Sequence, residues 1–268
     1  MPIDLHHETS GSGPSLIVLH GLYGSSGNWR TVGRALAATH TVHAVDLRNH
    51  GASPWADSMD YVEMAEDVKR LIERLGLQRA AVMGHSMGGK TAMALALRHP
   101  ERVSRLIVVD IAPIPYADTL TPFAEAMKGA NVLAAATRAE VQRRLAAHVP
   151  EPDVVPFLMQ NLVTQNDHFD WRLNLMAISA AMPGLCSFPA ALTALRYGGP
   201  TVVLAGAHSH YVLPRDASAY APMFTQVRIE VVENAGHWVH ADQPAAFLAS
   251  VRQALGRDAL RSLAAQAH

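Results

Sequence analysis

The chain has 268 residues, 49% of them hydrophobic and 17% charged, with a formal net charge of −1 and one cysteine, Cys186. That excludes an intrinsically disordered chain, which needs low hydrophobicity and high net charge; 18 glycines and 16 prolines without a period exclude collagen-like and low-complexity sequence. No Lys/Arg excess marks nucleic-acid binding, and a lone cysteine excludes an internal disulfide and a cysteine-based metal cluster.

Short apolar runs alternate with longer amphipathic stretches. Residues 15–20 read as a strand, 28–38 as a helix and 41–46 as a strand. Tyr61, Met64, Ala65, Val68, Leu71, Ile72 and Leu75 repeat at helical spacing, with Asp60 as N-cap and Gly76 as stop. A strand over 79–84 leads into a helix over 87–98, followed by an apolar strand over 105–110. The last strands are expected over 201–206 and 228–232, and the last helix over 245–255. Strands apolar on both faces and separated by helices imply parallel βαβ units with helices on both sides.

Residues 113–199 break this rhythm, with no convincing strand. Short helical stretches over 123–127 and 139–148 are split by Pro150, Pro152, Pro156, Pro183 and Pro189. The expected division is a core of 1–112 and 200–268 with an inserted helical cap over 113–199, placed where lids over a parallel sheet commonly lie. The tail from residue 258 carries no strong signal, and no internal repeat is found. The N-terminus lacks a basic start and an apolar segment, so no secretory signal is expected. No run approaches the ~18–20 apolar residues of a membrane span. The expectation is a soluble cytoplasmic protein, a monomer or homodimer, without nucleic-acid partners.

The sharpest motif is Gly84-His85-Ser86-Met87-Gly88, a G-x-S-x-G pattern between an expected strand and an expected helix. Such a turn is tight enough to strain the serine backbone and present its hydroxyl above the positive end of the helix. A serine hydroxyl is a weak nucleophile without a base. His237, in Gly236-His237-Trp238 on the loop after the last strand, is the expected general base, with His240 as rival. A carboxylate must orient that imidazole. Asp110 follows four apolar residues at a strand end, where burial demands hydrogen bonds. The loop after Gly206 offers no acid until Asp216, the weaker candidate. Two N–H groups should stabilise the developing oxyanion: that of Met87, after the nucleophile, and that of Leu22 in His20-Gly21-Leu22-Tyr23-Gly24.

His20 can brace that loop, and His20, Tyr23, Ile111 and Trp238 are the expected substrate contacts. Two other features carry less weight. His208-x-His210 lacks a third ligand of fixed spacing, so no metal is expected. Met87, Met93, Met127, Met159, Met176 and Met182 are candidates for an adaptable acyl pocket, although core filling is the commoner role of methionine.

The segments 20–30, 46–54, 84–90, 109–113 and 236–241 resemble the α/β-hydrolase superfamily, and more narrowly its YbfF-like esterase branch, over about residues 14 to 255. The Gly-Gly-Lys continuation at 88–90 and Arg48-Asn49-His50-Gly51 carry the narrower likeness. The resemblance implies an α/β fold with a mostly parallel sheet and cofactor-free hydrolysis of small acyl esters. Acyl thioesters such as acyl-CoA are candidate substrates. In that branch the acid lies one strand earlier than usual, in agreement with Asp110. C–C bond hydrolysis and perhydrolysis use such a triad on the same fold. A haloalkane dehalogenase is disfavoured by a serine at the elbow, and a non-catalytic ligand-binding protein by the intact Ser–His–Asp set.

Overall fold

The computed structural model describes residues 1–256; the tail from 257, including the end of the expected core segment, lies outside the described residues. A seven-stranded sheet runs in the order β1 (His7–Ser10), β3 (Thr41–Val45), β2 (Ser15–Leu19), β4 (Ala80–His85), β5 (Val103–Val109), β8 (Tyr197–Gly206) and β9 (Phe224–Val232). Every neighbouring pair is parallel except β1 against β3. β1 reads His-Glu-Thr-Ser, an edge strand without apolar signal, and the sequence did not predict it.

The side-chain alternation of the strands divides the core in two. Leu16 and Val18 of β2, Val42 of β3, Met83 of β4 and Ile107 of β5 pack with Trp29, Leu36, Phe247 and Val251. Those partners belong to the single turn Ser26–Trp29, to α1 (Arg30–Leu36) and to α10 (Pro244–Leu255). The opposite residues, Ile17, Leu19, Val82, Leu106 and Val108, pack with Met64, Val68, Ile72, Met93 and Leu97. These lie on α2 (Tyr61–Arg74) and α3 (Met87–Arg98). Each such side chain fully withdrawn from water contributes about 1.5–3 kcal/mol, so both faces hold the sheet's strand ends in place.

Several boundaries move for local reasons. Trp29 closes the 3-10 turn and leaves α-helical geometry (φ −96°, ψ 2°), so α1 begins at Arg30 rather than 28. β5 ends at Val109 because Asp110 turns to φ 51°. β8 and β9 start earlier than expected because they pair from Tyr197 opposite Phe224. α2 begins as predicted, with the Asp60 carboxylate accepting from Glu63 N–H at 2.8 Å, and Gly76 (φ 69°) follows its end.

Between β5 and β8 the chain forms α4 (Thr121–Gly129), α5 (Arg138–Ala146), α6 (Val154–Met159) and α7 (Leu175–Leu185). The expectation that this region lacks strands is corrected: β6 (Leu162–Gln165) and β7 (His168–Trp171) make an antiparallel hairpin. Pro183 lies within α7 rather than splitting it; burial of Leu175, Ile178, Met182 and Leu185 outweighs one missing helical N–H. The segment is fixed to the sheet layers by direct bonds. Tyr61 Oη donates to Leu185 C=O at 2.7 Å, Tyr23 Oη to Leu120 C=O at 2.9 Å, and Asn161 Nδ2 to Tyr23 C=O at 2.8 Å. After β8 come the short α8 (Ala217–Tyr220) and, after β9, α9 (Val239–Asp242). No helix among the described residues is long and apolar enough to cross a membrane.

Candidate active site

Ser86 sits between β4 and α3 at φ 52° and ψ −118°, a conformation that L residues rarely adopt. The turn closes so tightly that a Cβ on Gly84 would stand 2.0 Å from Gly88 C=O, and one on Gly88 2.5 Å from His20 C=O. Glycine is therefore required at both positions. Ser86 N–H donates to Val109 C=O at 2.9 Å, so the elbow hangs on the adjacent strand β5.

His237 follows β9 and precedes α9. Its Nδ1–H donates to Asp110 Oδ2 at 2.7 Å, since an ionised carboxylate only accepts. That fixes the tautomer and leaves Nε2 as the basic nitrogen. Asp110 has no exposed surface. Its Oδ1 accepts from Gly206 N–H at 2.9 Å and its Oδ2 also from the Ser209 hydroxyl. The weaker candidate acid, Asp216, caps its own turn instead, accepting from Leu213 N–H at 2.8 Å.

Ser86 and His237 line a cavity of about 780 Å³ together with His20, Leu22, Tyr23 and Trp238. Aromatic rings of Trp29, Phe123, Phe157 and Tyr211 supply much of its wall. The Met87 N–H is the first of α3 and has no intrahelical acceptor. The Leu22 N–H forms no hydrogen bond among the described residues, whereas the next N–H, of Tyr23, is donated to His50 Nε2 at 3.2 Å. His20 lines the cavity but its ring is committed on both sides. Nδ1–H donates to Gly21 C=O at 2.8 Å, and Nε2 accepts from Leu47 N–H at 3.0 Å. Tyr23 is likewise held by its hydroxyl. Ile111 lies in a separate small cavity, also bounded by Ser86.

His240, the rival base, lines the large cavity without contacting Asp110; its ring stands 4.7 Å from that of Trp29, and burial lowers its pKa to about 4. His208 and His210 are exposed and flank the inward-facing Ser209, and no group of three or more candidate metal ligands occurs among the described residues. Of the methionines that could form an acyl pocket, Met87 and Met182 line the small cavity. Met93, Met127 and Met159 fill the core, and Met176 is 72% exposed.

The roles of four residues escaped the sequence reading, although His85 lies within its sharpest motif and Lys90 in the Gly-Gly-Lys continuation. Tyr211 stacks on His237 with ring centroids 4.0 Å apart and 28° between planes. His85, 4.6 Å from the His237 ring, donates from Nε2 to His237 C=O at 2.9 Å. Burial, then the neighbouring His237 and His240, hold His85 far below the usual histidine range, so it stays neutral. Ser209 is the third donor to Asp110. Lys90 is buried one helical turn beyond the elbow. The Arg48-Asn49-His50-Gly51 motif also acquires a physical role. Arg48 Nε donates to Asp67 at 2.7 Å beneath the loop, and His50 holds the backbone of Tyr23 beside Leu22.

Residues 14–244 match the family model described as alpha/beta hydrolase fold. The chain is 38% identical over 246 residues to the sn-1-specific diacylglycerol lipase ABHD11 of Mus musculus, covering 89% of this chain and 80% of that protein. It is 32% identical to Esterase YbfF of Escherichia coli (strain K12), covering 90% and 92% respectively. A solved marine microorganism esterase superposes with TM-score 0.90 at 33% identity, covering 94% of this chain and 99% of that one. With Ser86, His237 and Asp110 gathered at the carboxyl ends of β4, β9 and β5, these likenesses have one meaning: the chain belongs to the α/β-hydrolase family, close to its YbfF-like branch, and is a carboxylic ester hydrolase.

Proposed function

We propose that the protein cleaves small acyl esters through an acyl-Ser86 intermediate. Ser86 Oγ attacks the acyl carbon while His237 Nε2 takes its proton. Asp110 holds the tautomer and stabilises the imidazolium. The N–H groups of Met87 and Leu22 carry the charge of the tetrahedral oxyanion. The C–O bond to the alcohol then breaks and His237 returns the proton to the leaving oxygen. Water, deprotonated by the same imidazole, attacks the acyl-enzyme; the bond to Ser86 Oγ breaks, His237 returns the proton to that oxygen, and the carboxylic acid leaves. No metal or organic cofactor enters this scheme. Residues 113–199 act as the lid over the site, and the aromatic wall of the large cavity excludes water from it. Thioesters are open to the same chemistry.

The observation that carries the reading is the 2.7 Å pairing of His237 with a fully buried Asp110 next to a serine held at φ 52°. Such strain persists only where the surroundings over-determine it. The test is labelling with a fluorophosphonate probe followed by intact-mass measurement, alongside turnover of a p-nitrophenyl ester series. A single adduct, absent in Ser86→Ala, is expected, with the variant's hydrolysis reduced by several orders of magnitude. Folded wild-type protein that takes no adduct and turns over no ester would defeat the proposal.

A further inference from the structure

A second cavity, of about 30 Å³, shares part of its wall with the large one, Ser86, Leu22 and Tyr211 included, and Met87, Ile111, Met182 and Lys90 are among the residues that bound its remainder. A water molecule needs roughly 10–15 Å³ of such space, so there is room for about two waters or one carboxylate-sized group. Ser86 is the N-cap of α3, and Lys90, one turn into the helix, donates its backbone N–H to Ser86 C=O at 3.0 Å. Both residues line the small cavity. Lys90 is 1% exposed. Its Nζ donates to Ile114 C=O at 3.1 Å and Ser187 C=O at 2.7 Å, and lies 4.8 Å from the ring centre of Tyr116. An ammonium has three donors, and two are used. Among the described residues Lys90 forms no ion pair, and a buried cation without a counter-charge is costly. Burial lowers its pKa to about 8, which still leaves it mostly charged at neutral pH.

The large cavity has the opposite sign. Its acidic lining residues are Glu151, Asp153 and Asp242, and it has no lysine or arginine. An anionic substituent is therefore disfavoured on that side of Ser86 and favoured on the other.

We propose, building on the ester-hydrolase reading above, that the small cavity is an acyl subsite for a short chain ending in a carboxylate, with Lys90 as its specificity-determining residue. The substrates it selects are half-esters of short dicarboxylic acids, with a neutral or cationic alcohol in the large cavity. Met87 and Met182 are unbranched and adaptable, and can shift to admit the chain. Hydrolysis of the half-ester anion consumes one water and gives the dicarboxylate, the alcohol and one proton.

The test compares monomethyl succinate with methyl 4-methylpentanoate, its neutral isostere, by pH-stat titration on the wild-type protein. A charge-assisted contact predicts a kcat/KM advantage of about tenfold or more for the succinate half-ester. Lys90→Met is expected to reduce that ratio by a similar factor. Succinate should inhibit competitively at concentrations where butyrate does not, a measurement that needs no variant. Equal or better turnover of the neutral ester, with no inhibition by succinate, overturns the subsite while leaving ester hydrolysis standing. Loss of both esters together with the absence of a fluorophosphonate adduct overturns the underlying reading and the subsite with it.

Discussion

A carboxylate without exposed surface needs its oxygens saturated, and Asp110 accepts from Gly206 N–H, the Ser209 hydroxyl and His237 Nδ1–H. Asparagine at 110 would present an amide that can donate toward His237 and favour the wrong tautomer. Asp110→Asn should therefore lower kcat on the order of 10³–10⁴-fold, while Asp216→Asn, which touches only a turn, should cost less than about tenfold. The reverse ranking in steady-state kinetics would reassign the acid. Ser209→Ala removes one charge-assisted donor, and a loss of about tenfold in kcat with little change in KM is expected. Ser86, His237 and Asp110 were legible because each stands at a strand end in a local pattern. Ser209 was not, because its contact spans 99 residues and only the fold makes it. Tyr211 was hidden for the same reason: nothing near it in sequence points to the His237 ring on which it stacks.

At the scale of elements, the parallel strands were readable as apolar runs, and α2 from its period and its cap. The edge strand β1 was not, since its face is polar, and neither was the hairpin β6–β7, whose strands are only four residues each. Its signal lay in the connection. Asn166 and Asp167 both adopt positive φ, 48° and 63°, as a two-residue turn between antiparallel strands demands. Glycine is the better second residue there, because a side chain at positive φ is strained. Asp167→Gly should raise stability by about 0.5–1 kcal/mol, read as a higher urea midpoint, without altering kcat. A lower midpoint would mean that the Asp167 side chain supports the turn more than its backbone strain weakens it.

Across the whole molecule, fifteen histidines make sensitivity to acid the expected behaviour, and burial shows which of them carry it. His20, His50, His85 and His240 sit among the loops that shape the site, and in each desolvation is the first cause of a depressed pKa. For His50 the value is about 3 and for His240 about 4. The unfolded chain takes up these protons near pH ~6.5, while the folded chain refuses them until far lower pH. The unfolded state therefore binds more protons throughout that window, and stability rises with pH across it. Asp46 adds a contribution of the same sign at lower pH: hydrogen bonds from Ala52 and Ser26 outweigh burial and hold its carboxyl below the usual range. Protonating His20 or His50 would also convert an acceptor into a donor opposite Leu47 N–H or Tyr23 N–H, opening the loop that carries Leu22. The urea midpoint should thus be flat above about pH 7 and fall steadily from about pH 6.5 to about pH 4. Esterase activity should be lost irreversibly at the acid end only where the midpoint has already dropped. A midpoint constant from about pH 7 to about pH 4.5 would show that these rings are solvated in the folded chain, contrary to their burial.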